Sequence, residues 1–452
     1  MGRLSKLYLT EDFVEQLLSR LPPKSLMRFK CVCSLWCNKI KSPSFVAKHL
    51  SNYMGASSMS VLFKRPVLKD KDNKIIEPER EECLNGDDNV ETQLSSLNLC
   101  NVSDDDYLLS TVVEDLKVPL PAPLKLKHSS DLIVAGHCDG ILCLKLFIGN
   151  AILWNPAMKE FKLLPKSLLL LPNDEDELLF YELNCYTEYL GFGYDPKGKD
   201  YKVVRFVIFD EVCYWFKAEV YDMHSNSWRD IKMKTIYSEM TTYVTQRQSS
   251  HASVYFNGQC YWLVSGYQQH LPHDGFVLSF DMSHEQFNEI SYPDLSDGCR
   301  VMTLAIWKEF IALLSNQEES RVAQSYDMWV MMDDLGDGMG SWTKHLSIGP
   351  VECVGYPLLF CNGEHLFMEN NEGQIVLYNT GTKKLKYLPI QFMGYIFYNQ
   401  ALIYGNSIVS INGGNVPDEI YISAFYGSGK FQSCYRGEVD ISTFHSNEKL
   451  EM

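Results

Sequence analysis

Between residues 10 and 50, apolar positions recur at three- and four-residue spacing. Phe13, Val14, Leu17, Leu18 and Leu21 share one face of a predicted helix. Thr10 is placed to cap it, and Glu11 and Asp12 sit favourably at its positive end. Pro22-Pro23 stops that helix. Ser25–Val32 reads as a second, with Leu26, Phe29 and Val32 inward and Lys24, Arg28 and Lys30 outward. Cys33–Lys41 gives a third, anchored by Trp36 and Ile40. Ser42-Pro43 then restarts a short helical segment, with proline at its tolerated first position. The expectation is a small all-α, three-helix module. So few residues can barely bury a core alone, so the module should lean on a partner.

After residue 130 the period changes from helical to alternating. One unit recurs: a β-rich apolar run, then Asn or Asp, a short turn, and an aromatic residue or Leu six residues on. It appears as AILWNPAMKEFKLLP from Ala151, AEVYDMHSNSWRDIK from Ala218, VLSFDMSHEQFNEIS from Val277 and IVLYNTGTKKLKYLP from Ile375. A degenerate copy runs from Trp329–Met332 to Trp342. Asn or Asp with small residues between two strands is hairpin chemistry. Further strands precede each copy, several with their own turn pairs: Asp139-Gly140, Asn257-Gly258 and Asn362-Gly363. About four strands per repeat predict an all-β propeller, because a single blade cannot bury both faces. Six blades fit best, with seven or eight left open and a β-sandwich as the weaker rival. Segments near Leu402–Ile411 and Ile420–Phe425 are placed to complete or close the ring. The domains read as 1–50, a linker at 51–57, the propeller at 58–428 and a flexible tail at 429–452.

The stretch LTEDFVEQLLSRLPPKSLMRFKCVCSLWCNKIKSPSFVAKHL resembles a plant F-box, with Thr10 where the family often has proline. The phrases ILWNPAMKEFKLLP and GFGYDPKGKDYKVVRF resemble the plant F-box-associated, kelch-like domain. Within that family, RLPPKSLMRFKC and SPSFVAKHLSN are most similar to S-locus F-box proteins of pollen. The resemblance implies a substrate-recognition subunit of a Skp-cullin-F-box ubiquitin ligase. It implies a Skp-type adaptor and, through it, a cullin as partners, and Leu9, Leu21, Pro22, Pro23, Leu26 and Val32 as adaptor contacts. Phe29 and Trp36 are expected to be internal. At the subgroup level it implies a basic, secreted-type ribonuclease of self-incompatibility as the substrate.

Charge sharpens this picture. Residues 1–50 hold nine Lys/Arg against three Asp/Glu, and the remainder holds 32 against 54. A basic head on an acidic body suggests two surfaces with different partners and argues against nucleic acid. Acidic insertions at Asp104, Asp105 and Asp106 and at Asp174, Glu175, Asp176 and Glu177 are candidate substrate-binding residues, and loops on a rigid scaffold are where binding varies. The 14 cysteines are scattered, many inside apolar runs, as reduced thiols would be. No apolar signal segment opens the chain. The longest apolar run, near Leu168–Leu171, falls far short of the ~20 residues a spanning helix needs. A cytoplasmic or nuclear protein without a membrane partner is expected.

Catalytic and cofactor motifs are incomplete, so the expectation is no enzyme, no metal and no cofactor. His270 and His273 flank Pro272, which forbids a regular ligating helix. Cys31, Cys33 and Cys37 fall in the helical module, where packing is the simpler role. Gly191-Phe192-Gly193 lacks the third glycine of a dinucleotide loop. The Asp333–Gly338 run lacks the spacing and terminal Glu of a calcium loop. The rival readings are a propeller lectin or enzyme, and an adaptor-bound scaffold that does not promote degradation.

Overall fold

In a computed structural model the described residues are 10–54, 58–69, 75–76, 90–103, 106–118, 120, 132–146, 150–169, 186–209, 215–232, 243–244, 253–267, 275–295, 299–317, 323–332, 341–352, 354–361, 363–392 and 399–411. All of them belong to one unit, Met1–Gly414. Four helices come first: α1 (Glu11–Leu18), α2 (Pro23–Phe29), α3 (Ser34–Lys41) and α4 (Pro43–Met54). Thr10 caps α1 as expected, its hydroxyl accepting from the Phe13 amide. The segment expected to be a short restart is the longest helix of the module, and α4 continues into the stretch read as a linker. Ser42 explains the clean start, since its hydroxyl accepts from the Phe45 amide.

Six antiparallel sheets follow. Blade 1 is β1 (Ser58–Lys69), with β2 (Ile75–Ile76) on its end, then β3 (Val90–Ser103) and β4 (Asp106–Leu116). Blade 2 is β5 (Leu132–Cys138), β6 (Ile141–Leu146), β7 (Ala151–Asn155) and β8 (Glu160–Leu163). Blade 3 is β9 (Tyr186–Asp195), β10 (Asp200–Phe209), β11 (Trp215–Asp222) and β12 (Ser227–Ile231). In blade 4, β13 (Tyr243–Val244) and β14 (Val254–Phe256) both pair with β15 (Gln259–Tyr267), followed by β16 (Gly275–Asp281) and β17 (Gln286–Ser291). Blade 5 is β18 (Cys299–Trp307), β19 (Phe310–Gln317), β20 (Ala323–Met332) and β21 (Ser341–Glu352). Blade 6 is β22 (Val354–Cys361), β23 (His365–Asn370), β24 (Gln374–Asn379) and β25 (Leu385–Gln391).

The ring closes on itself through β26 (Gln400–Tyr404), which pairs with β1, Leu402 opposite Leu62. This late strand thus supplies the inner edge of the first blade and leaves no open sheet there. Each neighbouring pair of blades buries its own apolar cluster. Leu62, Leu94 and Val134 join blades 1 and 2, and Leu153, Phe192 and Tyr221 join 2 and 3. Phe206 and Trp262 join 3 and 4, and Tyr261, Val277 and Leu313 join 4 and 5. Trp307, Tyr326 and Phe360 join 5 and 6, and Val61, Phe63 and Phe367 join 6 and 1. Being sandwiched this way buries both faces of an inner or middle strand. β7 and β23 are buried at every position, whereas the outer strand β17 alternates.

The repeated unit of the sequence is the outer hairpin of a blade. Trp154 faces Phe161, Tyr221 faces Trp228, and Phe280 faces Phe287 across the two strands. In each turn the Asn or Asp side chain accepts from backbone amides: Asn155 from Met158, Asp222 from His224 and Ser225, Asp281 from Ser283 and His284, Asn379 from Gly381 and Thr382. Four residues after it the backbone turns left-handed, at Lys159, Asn226, Glu285 and Lys383. The pairs Asp139-Gly140 and Asn257-Gly258 have both φ angles positive, as the two-residue hairpin between right-twisted strands requires.

Gly191-Phe192-Gly193 has a packing role. A Cβ on Gly191 would lie 2.3 Å from the Trp262 ring, and one on Gly193 would lie 2.1 Å from the Tyr255 ring. The two glycines let aromatic rings of blade 4 rest directly on the β9 backbone. Trp262 Nε1 then donates to the Leu190 carbonyl at 2.9 Å. Cys138, Cys143, Cys260 and Cys361 are buried free thiols, and burial pushes the Cys143 thiol up to about 12. Asp104, Asp105, Asp174, Glu175, Asp176 and Glu177 lie outside the described residues, as do Ile420–Phe425 and the expected tail. Asp106 is the first residue of β4.

Candidate functional site

The helical module is held from within by Leu18, Leu26, Ile40 and Phe45, all buried. Phe29 and Trp36 pack edge-on with centroids 5.5 Å apart and lean on that cluster, as expected of internal residues. Glu15 ties three helices together, accepting from Lys39 on α3 and Lys48 on α4 at 3.0 Å each. These two ammonium groups hold the Glu15 carboxyl below its usual range. His49 of α4 bonds the Leu21 carbonyl at 3.0 Å, and Asn52 donates to Ser19 at 2.8 Å. The short helices are thus locked to α4, not merely collapsed together.

What remains on the outside is unusually apolar. Seven large apolar side chains are exposed among the described residues, and four of them belong to this module: Phe13 (47 %), Leu17 (49 %), Val32 (61 %) and Leu35 (56 %). Phe13 and Leu17 are one turn apart on α1 and share a face. Periodicity puts Phe13, Val14, Leu17 and Leu18 on one apolar face, but only Val14 and Leu18 of α1 join the core. The signal was present: apolar residues at 13, 14, 17, 18 and 21 make a stripe too wide for one buried seam. Leu35, flanked by Trp36, carried no separate signal. Of the six residues expected at the adaptor, Val32 is exposed, Pro22 is exposed and Leu21 is half-buried. Pro23 and Leu26 are buried beneath the surface, so their side chains support the face from below. Leu9 lies outside the described residues.

The module is seated on the ring. Met158, from the outer turn of blade 2, and Ile408, which follows β26, enter the helical core beside Phe45. Val46 and Leu50 of α4 pack on the cluster between blades 2 and 3. The seat itself is stitched by Glu160, which accepts from the Ser410 hydroxyl and the Ile411 amide. Asn155 reaches the same segment, donating to the Val409 carbonyl at 2.8 Å. Burial lowers the Lys30 ammonium pKa, with the nearby Glu160 carboxylate opposing that shift. A helical module with an exposed apolar face is therefore fixed in orientation against one end of the propeller.

The ring itself carries buried charge but no arrangement of metal ligands: among the described residues no three His, Cys, Asp or Glu side chains are grouped to hold an ion. Arg205, fully buried, sits 2.7 Å from Glu219 and 2.8 Å from Glu188, which Lys145 also reaches. Its guanidinium lies over the Trp228 ring, 4.5 Å from the centroid. Lys202 bridges blades 3 and 4 through Asp195 and Glu285, at 2.7 and 2.8 Å. These networks join blades and are structural in geometry. Among the described residues no helix is long and apolar enough to cross a membrane.

Comparison with known proteins agrees with both halves. Residues 7–48 match the F-box domain and residues 93–411 match the F-box associated beta propeller domain. An F-box/kelch-repeat protein of Arabidopsis thaliana is 26% identical over 384 residues, covering 83% of this chain and 89% of the relative. A second F-box protein of Arabidopsis thaliana is 28% identical over 343 residues, covering 75% of this chain and 78% of the relative. Among solved structures, an oligogalacturonate lyase of Vibrio parahaemolyticus is 9% identical with a TM-score of 0.33, covering 55% of this chain and 62% of that one. That likeness is too remote to bear on chemistry. On the match across most of its length, this chain belongs to the family of F-box proteins that carry an F-box associated beta propeller domain.

Proposed function

We propose that this chain is the substrate-recognition subunit of a Skp-cullin-F-box ubiquitin ligase. The observation that carries the reading is that four exposed apolar side chains, Phe13, Leu17, Val32 and Leu35, fall within one small module already seated on a ring. A monomer that ends its life alone in water has no use for them so concentrated. They form the centre of the adaptor contact, with Leu21 and Pro22 beside them and Pro23 and Leu26 holding them from beneath. Leu9 belongs to the same contact. The adaptor brings the cullin, and the ring holds the target near a charged conjugating enzyme. The rate gain then comes from proximity, and this chain contributes no catalytic group.

The finer reading is a basic target. Beyond residue 50 the chain carries 54 acidic against 32 basic residues, and such a field speeds encounter with basic partners. The similarity of RLPPKSLMRFKC and SPSFVAKHLSN to S-locus proteins narrows this to a basic ribonuclease, with Asp104–Asp106 and Asp174–Glu177 as contact candidates. Affinity purification from plant cells, with and without proteasome inhibition, tests both levels. Adaptor and cullin should co-purify in both samples, and a basic protein should accumulate only when the proteasome is blocked. A partner that is equally abundant in both favours an adaptor-bound scaffold. Absence of adaptor and cullin removes the proposal.

A further inference from the structure

The innermost strands of the ring enclose an axial channel of about 720 Å³. Small-molecule pockets typically span about 300–1,000 Å³. The wall is mostly apolar, with Val134, Leu304, Ala305, Leu359, Ala401 and Leu402 on it. Its charged members, Asp139 and Lys308, belong to the turns at one mouth, where Leu50 of α4 also lines it. Most polar groups on the wall are already committed. Gln400 accepts from the Val134 amide and donates to the Val134 carbonyl, Ser253 donates to Ala135, and the Tyr255 hydroxyl donates to Tyr194.

Two are not. Asn399, at the mouth away from α4, is only 5 % exposed. Its Nδ2 donates to both carboxylate oxygens of Glu369, at 3.2 Å each, while Oδ1 is buried with no hydrogen-bond partner among the described residues. An amide oxygen stranded in this way stays desolvated unless something in the channel donates to it. His137 lines the channel nearer α4, and its ring has no partner among the described residues. Burial pushes its pKa down to about 4, so the ring is neutral near pH 7 and offers one donor and one acceptor.

We propose that the axial channel binds an uncharged, mostly apolar small molecule that presents a hydroxyl or N–H donor to Asn399 Oδ1. The apolar wall and the neutral imidazole disfavour an ionised ligand, which would lose its hydration without gaining a counter-charge inside. An occupant touches the inner strands of blades 1, 2, 4, 5 and 6 together with Leu50. Its binding free energy therefore adds to ring closure and to the seat of the helical module.

The test uses the full chain and two fluorescent probes. N-phenyl-1-naphthylamine is neutral, apolar and carries one N–H; its anilinonaphthalene sulfonate analogue keeps the rings but is anionic. The neutral dye should bind saturably, one per chain, with blue-shifted emission and a concentration-dependent rise in Tm. The sulfonate should bind about tenfold more weakly or less. Thr303→Trp and Ala401→Phe, which fill the channel from two different strands, should each abolish dye binding with circular dichroism unchanged. Asn399→Leu, which removes the acceptor, should weaken it about tenfold. A channel that holds only water would show no saturable binding. Dye that binds folded Thr303→Trp or Ala401→Phe as tightly as the unaltered chain sits elsewhere. Equal affinity for both dyes on the unaltered chain, which needs no variant to fold, also overturns the proposal.

Discussion

Ionisation of Glu369 opposes the fold. Burial raises its carboxyl to about 7, and the two hydrogen bonds from Asn399 only partly offset that. An unfolded Glu ionises near 4.5. Between pH 4.5 and about 7 the folded chain therefore holds a proton that the unfolded chain has lost, so stability falls as pH rises through that window. Glu369→Gln keeps an oxygen for the Asn399 donor and removes the charge. Its advantage over the unaltered chain should be negligible at pH 4.5 and reach on the order of 3 kcal/mol at pH 8. Urea unfolding at the two values measures it, and an advantage that does not change with pH contradicts this reading. Asp195 behaves in the opposite sense. Burial pushes its carboxyl up, but donation from Lys202, Ser283 and the Gly198 amide outweighs that and carries it to about 2. Its contribution is present above the ordinary aspartate range and is lost as pH falls toward 2. Neither shift could be read from the sequence: that of Glu369 comes from burial, and that of Asp195 combines its near neighbours Gly198 and Lys202 with the distant Ser283.

At the scale of elements, the outer hairpin is the best-specified unit of the molecule. Its Asn or Asp caps the turn, and the residue four places on is left-handed whatever its identity: Lys, Asn or Glu. Lys383, exposed and at φ 60°, isolates that requirement. Lys383→Gly should be neutral or slightly stabilising, and Lys383→Val should cost about 1–2 kcal/mol, since a β-branched residue resists this conformation. Equal urea midpoints for the two variants would remove the turn argument. The local chemistry of this hairpin explains why it was legible: the cap, the turn and the facing aromatic pair all lie within twelve residues. The helical module was legible in its boundaries but not in its faces. Periodicity places Phe13, Leu17 and Leu18 on adjacent positions of one stripe, and only the packing of α1 against Ile40 and Phe45 decides which of them is covered. Gly191 and Gly193 fall in the same class, because the rings that press on them come from residues 255 and 262.

At the scale of the whole molecule, the ring is closed by a strand from the far end of the chain, and the same terminal stretch forms the seat of the helical module. Residues 400–404 pair with β1, and Ile408 enters the helical core. Closure of the ring and placement of the helical module are thus one structural event, so ring and module should fail together. The number of blades followed from counting hairpins, while the seat did not, since Met158 and Ile408 carry no local mark of their partner. The exposed face makes one demand that a purely structural module would not. Phe13 and Leu17 point away from the core, so replacing both with Asp should leave the fold intact while placing two charges in a desolvated contact. The measurement is the affinity of the full chain for a Skp-type adaptor, with circular dichroism and melting as controls. Tight binding by the unaltered chain, weakened at least about a hundredfold by Phe13→Asp with Leu17→Asp at unchanged Tm, is the predicted result; undiminished adaptor binding by that folded double variant would contradict the account.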